Sequence, residues 1–163
     1  MSIVSTLRQA DIFYEFTFTQ LELIASICTE YTFEQGGVVF EENSNGSELY
    51  VIAQGEIDIQ VRPAVTSTRR SPEPQTIARL RRGQSFGEMA AVDQGVRSAR
   101  AVAIQPDTRL IVIPRDKLMM MCDSYPQMGY RFMRNLAVDL AMKIRNTDHK
   151  VREFLTWTNP HSS

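Results

Sequence analysis

The chain has 163 residues, 43% of them hydrophobic and 23% charged, with a formal net charge of −1. That length supports one domain with a real core and is too short for two comfortable ones. The near-neutral charge excludes a domain whose main task is to coat nucleic acid, and the longest apolar runs fall far short of the ~20 residues that a membrane span requires.

Residues 1–16 contain acidic side chains and no uninterrupted apolar run, so no signal peptide is read and a cytoplasmic protein is expected. Thr19-Gln20-Leu21-Glu22 fits a capping box, with Phe18 and Leu23 spaced as a hydrophobic staple. Leu21, Ile24, Ala25 and Cys28 then follow helical spacing, which predicts a helix from about Thr19 to Cys28 after a short turn around Ile12-Phe13. Cys28 and Cys122 lie in apolar, helix-like surroundings and read as buried free thiols.

The pattern changes at Glu30. Short apolar runs recur at Tyr31–Glu34, Val38–Glu41, Leu49–Ala53, Glu56–Val61, Thr76–Leu80, Ala99–Ile104 and Arg109–Ile113. Glu56–Val61 alternates polar and apolar residues strictly, as a half-buried strand does. Gly36-Gly37, Asn43–Gly46, Gln54-Gly55, Arg82-Gly83 and Gln105–Asp107 punctuate the runs. Many short, evenly spaced strands predict an antiparallel barrel or sandwich. Arg62–Gln75, rich in Pro, Ser, Thr and Arg, reads as a long exposed hairpin loop; its Arg69-Arg70-Ser71-Pro72 needs no special role.

After Pro114 the helical period returns, first over Lys117–Asp123 and then, beyond Tyr125-Pro126, in a long helix from Gln127 to Asp148 or Leu155. Met133, Ala137, Leu140, Ile144, Thr147, Val151 and Phe154 repeat at 4-3-4-3-4-3, an a/d seam that predicts a homodimer through this helix. The competing reading is one amphipathic helix laid on its own barrel through Phe132, Leu136 and Leu140. Residues 156–163 read as a flexible tail, so the domain is expected over 1–155, with the barrel at about 29–114 and the C-terminal helix at about 126–155.

The chemistry concentrates in Phe86-Gly87-Glu88-Met89-Ala90-Ala91 and Arg97-Ser98-Ala99. A Gly, small residues and a helical turn at Glu88–Ala91 offer backbone N–H groups to an anion. An Arg returning to the same cavity gives a charge-assisted fork, and a Glu accepts from a sugar hydroxyl. On the residues alone, a surface ion pair is the simpler explanation of Glu88 and Arg97.

These residues resemble the phosphate-binding cassette of cyclic-nucleotide-binding domains of the catabolite activator and protein kinase A regulatory type. The early glycine at Gly36 or Gly37, Leu49-Tyr50-Val51-Ile52 with Gly55, and Gly83 before Phe86 extend the resemblance over most of the chain. It implies a mainly β fold: a double-stranded β-helix (jelly-roll) barrel with an N-terminal helix, a short cassette helix and a long C-terminal helix. It implies that Arg97 binds a cyclic phosphate and Glu88 accepts the ribose 2′-hydroxyl, with the Gly87 backbone nearby. Ala90, Ser98 and Ala99 then supply backbone or hydroxyl contacts, while Phe86 and Met89 complete the cavity. Val96 stands where many members have Pro, Asn43 where a turn Gly is usual, and Ala91 where Leu is common; none removes a polar ligand group.

Ser98 after the Arg resembles the cAMP-binding activators, so cAMP is the expected ligand and cGMP the alternative. In a dimer, Leu140 and Ile144 are expected near the base. Replacing Arg97 by Ala is expected to weaken binding by at least ~2 kcal/mol and leave the fold intact. No catalytic or metal-ligating set converges, and the two histidines, His149 and His161, lie beyond the barrel, so neither an enzyme nor a cofactor is expected. A sensor signalling to an unidentified downstream protein follows, without direct DNA contact; a degenerate domain serving as an interaction module is the alternative.

Overall fold

The computed structural model describes residues 2–64 and 73–158. Among these, helix α1 (Ile3–Arg8), a 3-10 turn (Asp11–Phe13) and α2 (Phe18–Ala25) lead into β1 (Thr29–Phe33), β2 (Val38–Phe40), β3 (Glu48–Gln54), β4 (Glu56–Val61), β5 (Gln75–Arg81) and β6 (Ser85–Phe86). Then follow α3 (Glu88–Asp93), β7 (Arg100–Ala103), β8 (Thr108–Pro114), α4 (Arg115–Ser124) and α5 (Pro126–Thr158). Two antiparallel four-stranded sheets, ordered β1-β8-β3-β6 and β2-β7-β4-β5, form the jelly roll.

Strand periodicity explains why β3 and β8 read as nearly continuous apolar runs. Leu49, Val51 and Ala53 of β3, with Ile111 and Ile113 of β8, face the helices and pack with Leu7, Ile12, Leu21 and Phe132. Tyr50 and Ile52, with Leu110 and Val112, face the barrel interior among Ile57, Leu80 and Phe86. The first sheet therefore separates two cores, and alternate residues feed each one. In β4 the alternation is kept, but Asp58 is buried. Arg79 donates to it through Nε at 2.7 Å and Nη2 at 3.1 Å, and Thr76 at 3.1 Å, which holds its carboxyl below the usual range.

The N-terminal region corrects two expectations. The capping box is formed by Thr17 and Gln20: Thr17 Oγ1 accepts from Gln20 N at 3.2 Å and Gln20 Oε1 from Thr17 N at 3.0 Å. The helix consequently starts two residues before the Thr19-based box. Phe18 is 62% exposed at its first position, and Phe16 and Leu21 take the places expected of Phe18 and Leu23. Helix α1, capped by Ser2, was not expected at all.

Cys28 donates to the Ile24 carbonyl at 3.1 Å, and burial pushes its thiol up to about 12, so it is inert at neutral pH. The buried residues of helix α5, Met128, Gly129, Phe132, Asn135 and Leu136, lie in its first third, and Leu140 packs against the same core one turn on. There Asn135 donates to the carbonyls of Ile12 at 3.0 Å and Tyr14 at 2.8 Å, fastening the helix to the 3-10 turn. It continues to Thr158, so the first residues of the expected flexible tail are helical. The Arg69-Arg70-Ser71-Pro72 segment lies outside the described residues.

Candidate functional site

The segment after β6 turns into α3 because Gly87 adopts a left-handed backbone, φ +79°. A side chain there would be strained and would place its Cβ 2.8 Å from Arg97 Nη1 and 3.0 Å from the Glu48 carbonyl oxygen. Gly46 approaches as closely on the other side, where a Cβ would lie 2.9 Å from Arg97 Nε. The Asn43–Gly46 turn grips the returning chain, with Asn43 N donating to Arg97 O at 2.7 Å and Arg97 N to Ser44 O at 2.9 Å. Asn43 itself is left-handed at φ 65°, a conformation Asn tolerates.

These close approaches bury Arg97 to 3% exposure. Its guanidinium lies 4.3 Å from the Phe40 ring centroid, within a stack of Phe40, Tyr50 and Phe86. Nη1 donates to the Gly87 carbonyl at 3.2 Å; Nη2 donates to the Glu48 carbonyl at 2.9 Å and pairs with Glu48 Oε2 at 3.4 Å. Nε has no hydrogen-bond partner among the described residues. A surface ion pair between Glu88 and Arg97 is therefore ruled out: both are buried, and each has a different partner.

Glu88 opens α3 at 6% exposure. Its Oε1 accepts from Lys143 Nζ, which reaches across from α5, while its Oε2 has no partner among the described residues. Burial pushes the carboxyl up from the ordinary glutamate value, and Lys143 pulls it part of the way back.

All eight residues singled out in the sequence, Phe86, Gly87, Glu88, Met89, Ala90, Arg97, Ser98 and Ala99, line one cleft of about 1510 Å³ between the barrel and α5. Phe86 forms part of its aromatic floor, Ala90 is buried, and Met89 and Ser98 lie at its exposed side, with Ser98 Oγ 3.8 Å from Met89 Sδ. The volume exceeds the ~300–1,000 Å³ usual for small-molecule sites because the cleft continues along α5 to Arg131 and the N-terminal turn.

Sequence reasoning missed several walls of this cleft. Phe40, Ile59, Ile77 and Leu80 come from the barrel, and Asn146, Thr147 and Lys150 from α5, beside the Lys143 region that the resemblance places near the base. Leu140 and Ile144, expected near the base in a dimer, do not line the cleft of their own chain, and Ile144 is 62% exposed. Thr147 had been read only as a seam position. Its i, i+4 relation to Lys143 was the signal that places both on the cleft side of the helix. Among the described residues there is no cluster of three or more His, Cys, Asp or Glu suited to a metal, and no helix is long and apolar enough to cross a membrane.

A family profile for the cyclic nucleotide-binding domain matches residues 30–125. The cyclic AMP receptor protein of Thermus thermophilus is 28% identical over 142 residues, 87% of this chain and 61% of that protein. Human cGMP-dependent protein kinase 2 is 30% identical over 95 residues, 58% of this chain and 12% of the kinase. The crystal structure of the Thermus thermophilus catabolite activator protein superposes with a TM-score of 0.71 at 28% identity, covering 89% of this chain and 63% of that one. A cyclic nucleotide-binding domain from Methylobacillus flagellatus shares the fold with a TM-score of 0.78 at 24% identity, covering 93% and 82%. The chain thus spans under two thirds of the curated relatives it matches first.

Proposed function

The chain belongs to the cyclic nucleotide-binding domain family, and from that premise we propose that its cleft binds cAMP and that the domain acts as a sensor, with no catalysis of its own. The observation that carries the reading is one cleft holding a buried arginine Nε donor and a buried glutamate Oε2 acceptor, neither with a partner among the described residues. A ligand with an anionic end and a hydroxyl end satisfies both, and each group is costly without such a partner.

Arg97 binds the cyclic phosphate, assisted by Ala90, Ser98 and the Ala99 backbone. Glu88 accepts the 2′-hydroxyl beside Gly87, and Met89 covers the ligand. The base points toward α5, where Met142, Asn146 and Thr147 line the cleft. Preference for cAMP over cGMP is supported by Ser98, which resembles the residue of the cAMP-binding activators.

Thermal unfolding of nucleotide-free protein tests the ligand. A ligand at a hundredfold its dissociation constant stabilises by about 2.7 kcal/mol, or roughly 5–11 °C for a domain of this size. We expect such a shift with cAMP, a smaller one with cGMP at equal concentration, and none with 5′-AMP. No shift with any cyclic nucleotide would favour the interaction module instead.

The output passes to another protein or another chain segment, and α5 is the element placed to transmit it. Its seam residues Ile144, Val151 and Phe154 are exposed, and Val151 and Phe154 also edge the cleft beside Lys143, Asn146 and Lys150. A parallel homodimer through that seam is our reading of the surface. Sedimentation should show a concentration-dependent dimer that Ile144→Glu converts to monomer; a strictly monomeric unaltered protein would rule it out.

A further inference from the structure

Lys143 Nζ makes two hydrogen bonds and one further ion pair. Nζ donates to Glu88 Oε1, donates to the Ser85 carbonyl at 2.8 Å, and pairs with Asp139 Oδ2 at 2.9 Å one turn earlier on α5. One ammonium thereby ties together the end of β6, the cassette and α5. The 3-10 turn brings Asp11 within electrostatic reach of Lys143 and Asp139.

The pairing is lopsided. Lys143 takes one oxygen of the Glu88 carboxylate and leaves the other buried and without a partner among the described residues. Such an orphan acceptor is costly in an isolated structural ion pair and makes sense where a further donor arrives.

Resting on the cyclic-nucleotide reading, we infer that Lys143 is the positioning residue of the ribose site: it fixes Glu88 through Oε1, leaves Oε2 as the acceptor, and so makes ribose recognition conditional on α5 being docked. If α5 swings out, Lys143 leaves with Asp139, its neighbour on the same helix. Glu88 then loses the donor that holds Oε1, so its carboxylate is no longer fixed with Oε2 toward the cleft, and the ribose contact weakens. By reciprocity, a ligand with the 2′-hydroxyl favours the docked helix more than one without it.

The experiment compares affinities for cAMP and 2′-deoxy-cAMP in the unaltered protein, Lys143→Met, Lys143→Arg, Glu88→Gln and the Lys143→Met/Glu88→Gln double variant. The unaltered protein is expected to prefer cAMP by about tenfold to a hundredfold, the range of a hydrogen bond to a charged group. In Lys143→Met the preference falls to within about threefold, because the positioned charge is gone. Lys143→Arg restores most of it. In the Glu88→Gln background, Lys143→Met changes the preference no further, which separates this role from general stability. Full retention of the preference in Lys143→Met, or its loss without rescue by Arg, overturns the inference and leaves the cAMP reading standing. Failure of the unaltered protein to bind either ligand overturns that reading, and this inference with it.

Discussion

Replacing Arg97 by Ala is expected to weaken cAMP binding by at least about 30-fold, because losing one partner of a desolvated, hydrogen-bonded charge pair costs about 2–5 kcal/mol. The structure corrects the expectation that the fold is left untouched. Arg97 is wedged between Gly46 and Gly87 above the Phe40 ring, and it donates to the carbonyls of Gly87 and Glu48. Truncation strips both carbonyls of a donor and opens a void beside three stacked aromatic rings, so a stability loss of about 2–3 kcal/mol accompanies the binding loss. Arg97→Lys separates the two effects. It keeps the charge and much of the volume but not the planar fork, so it should fold better than Arg97→Ala and still bind weakly. Calorimetry on both variants, well below their melting temperatures, checks this. Undiminished affinity in Arg97→Ala would remove Arg97 from the ligand site.

Gly129→Ala should be the most damaging single methyl on α5. A Cβ there would lie 2.6 Å from the Cys122 carbonyl oxygen and 2.9 Å from its Cβ, where α4 meets α5. Neither obstacle is the end of a flexible side chain, so the helices must separate, at a cost of about 3 kcal/mol. For a domain of this size that lowers the melting temperature by roughly 6–12 °C. The effect should reach the cleft as well, because α5 carries Lys143 to Glu88. Gly95→Ala is the control: its new Cβ would meet only the Asp93 carboxylate oxygen at 3.2 Å, the far end of a flexible side chain. It should change stability by less than about 0.5 kcal/mol. Equal melting temperatures for the two variants would mean that α4 and α5 are not packed as described.

The barrel was legible because its strands obey a period of two and its turns carry Gly or Asn. The residues from Phe86 to Ala99 that line the cleft could be singled out because they lie close together in sequence. What escaped has identifiable causes. Helix α1 spans six residues, too few to display a helical period, and is signalled only by the Ser2 cap. The box at α2 was misplaced because Thr17 and Thr19 are both capping residues; the backbone accepts the one whose partner is Gln20. Phe40 beneath Arg97, and Glu48 beside it, are 57 and 49 residues away in sequence, and no local pattern links them. On α5, Lys143 and Ile144 differ by about 100° around the helix axis, so the two point to different sides. It is Lys143 that reaches the cassette carboxylate; Ile144 is exposed.

Titrating nucleotide-stripped protein with cAMP in a calorimeter tests the central claim most directly. Binding of one cAMP per chain, with a dissociation constant of about a micromolar or tighter (near −8 kcal/mol), is the predicted result. A folded protein that shows no heat of binding with cAMP or cGMP at millimolar nucleotide would contradict it.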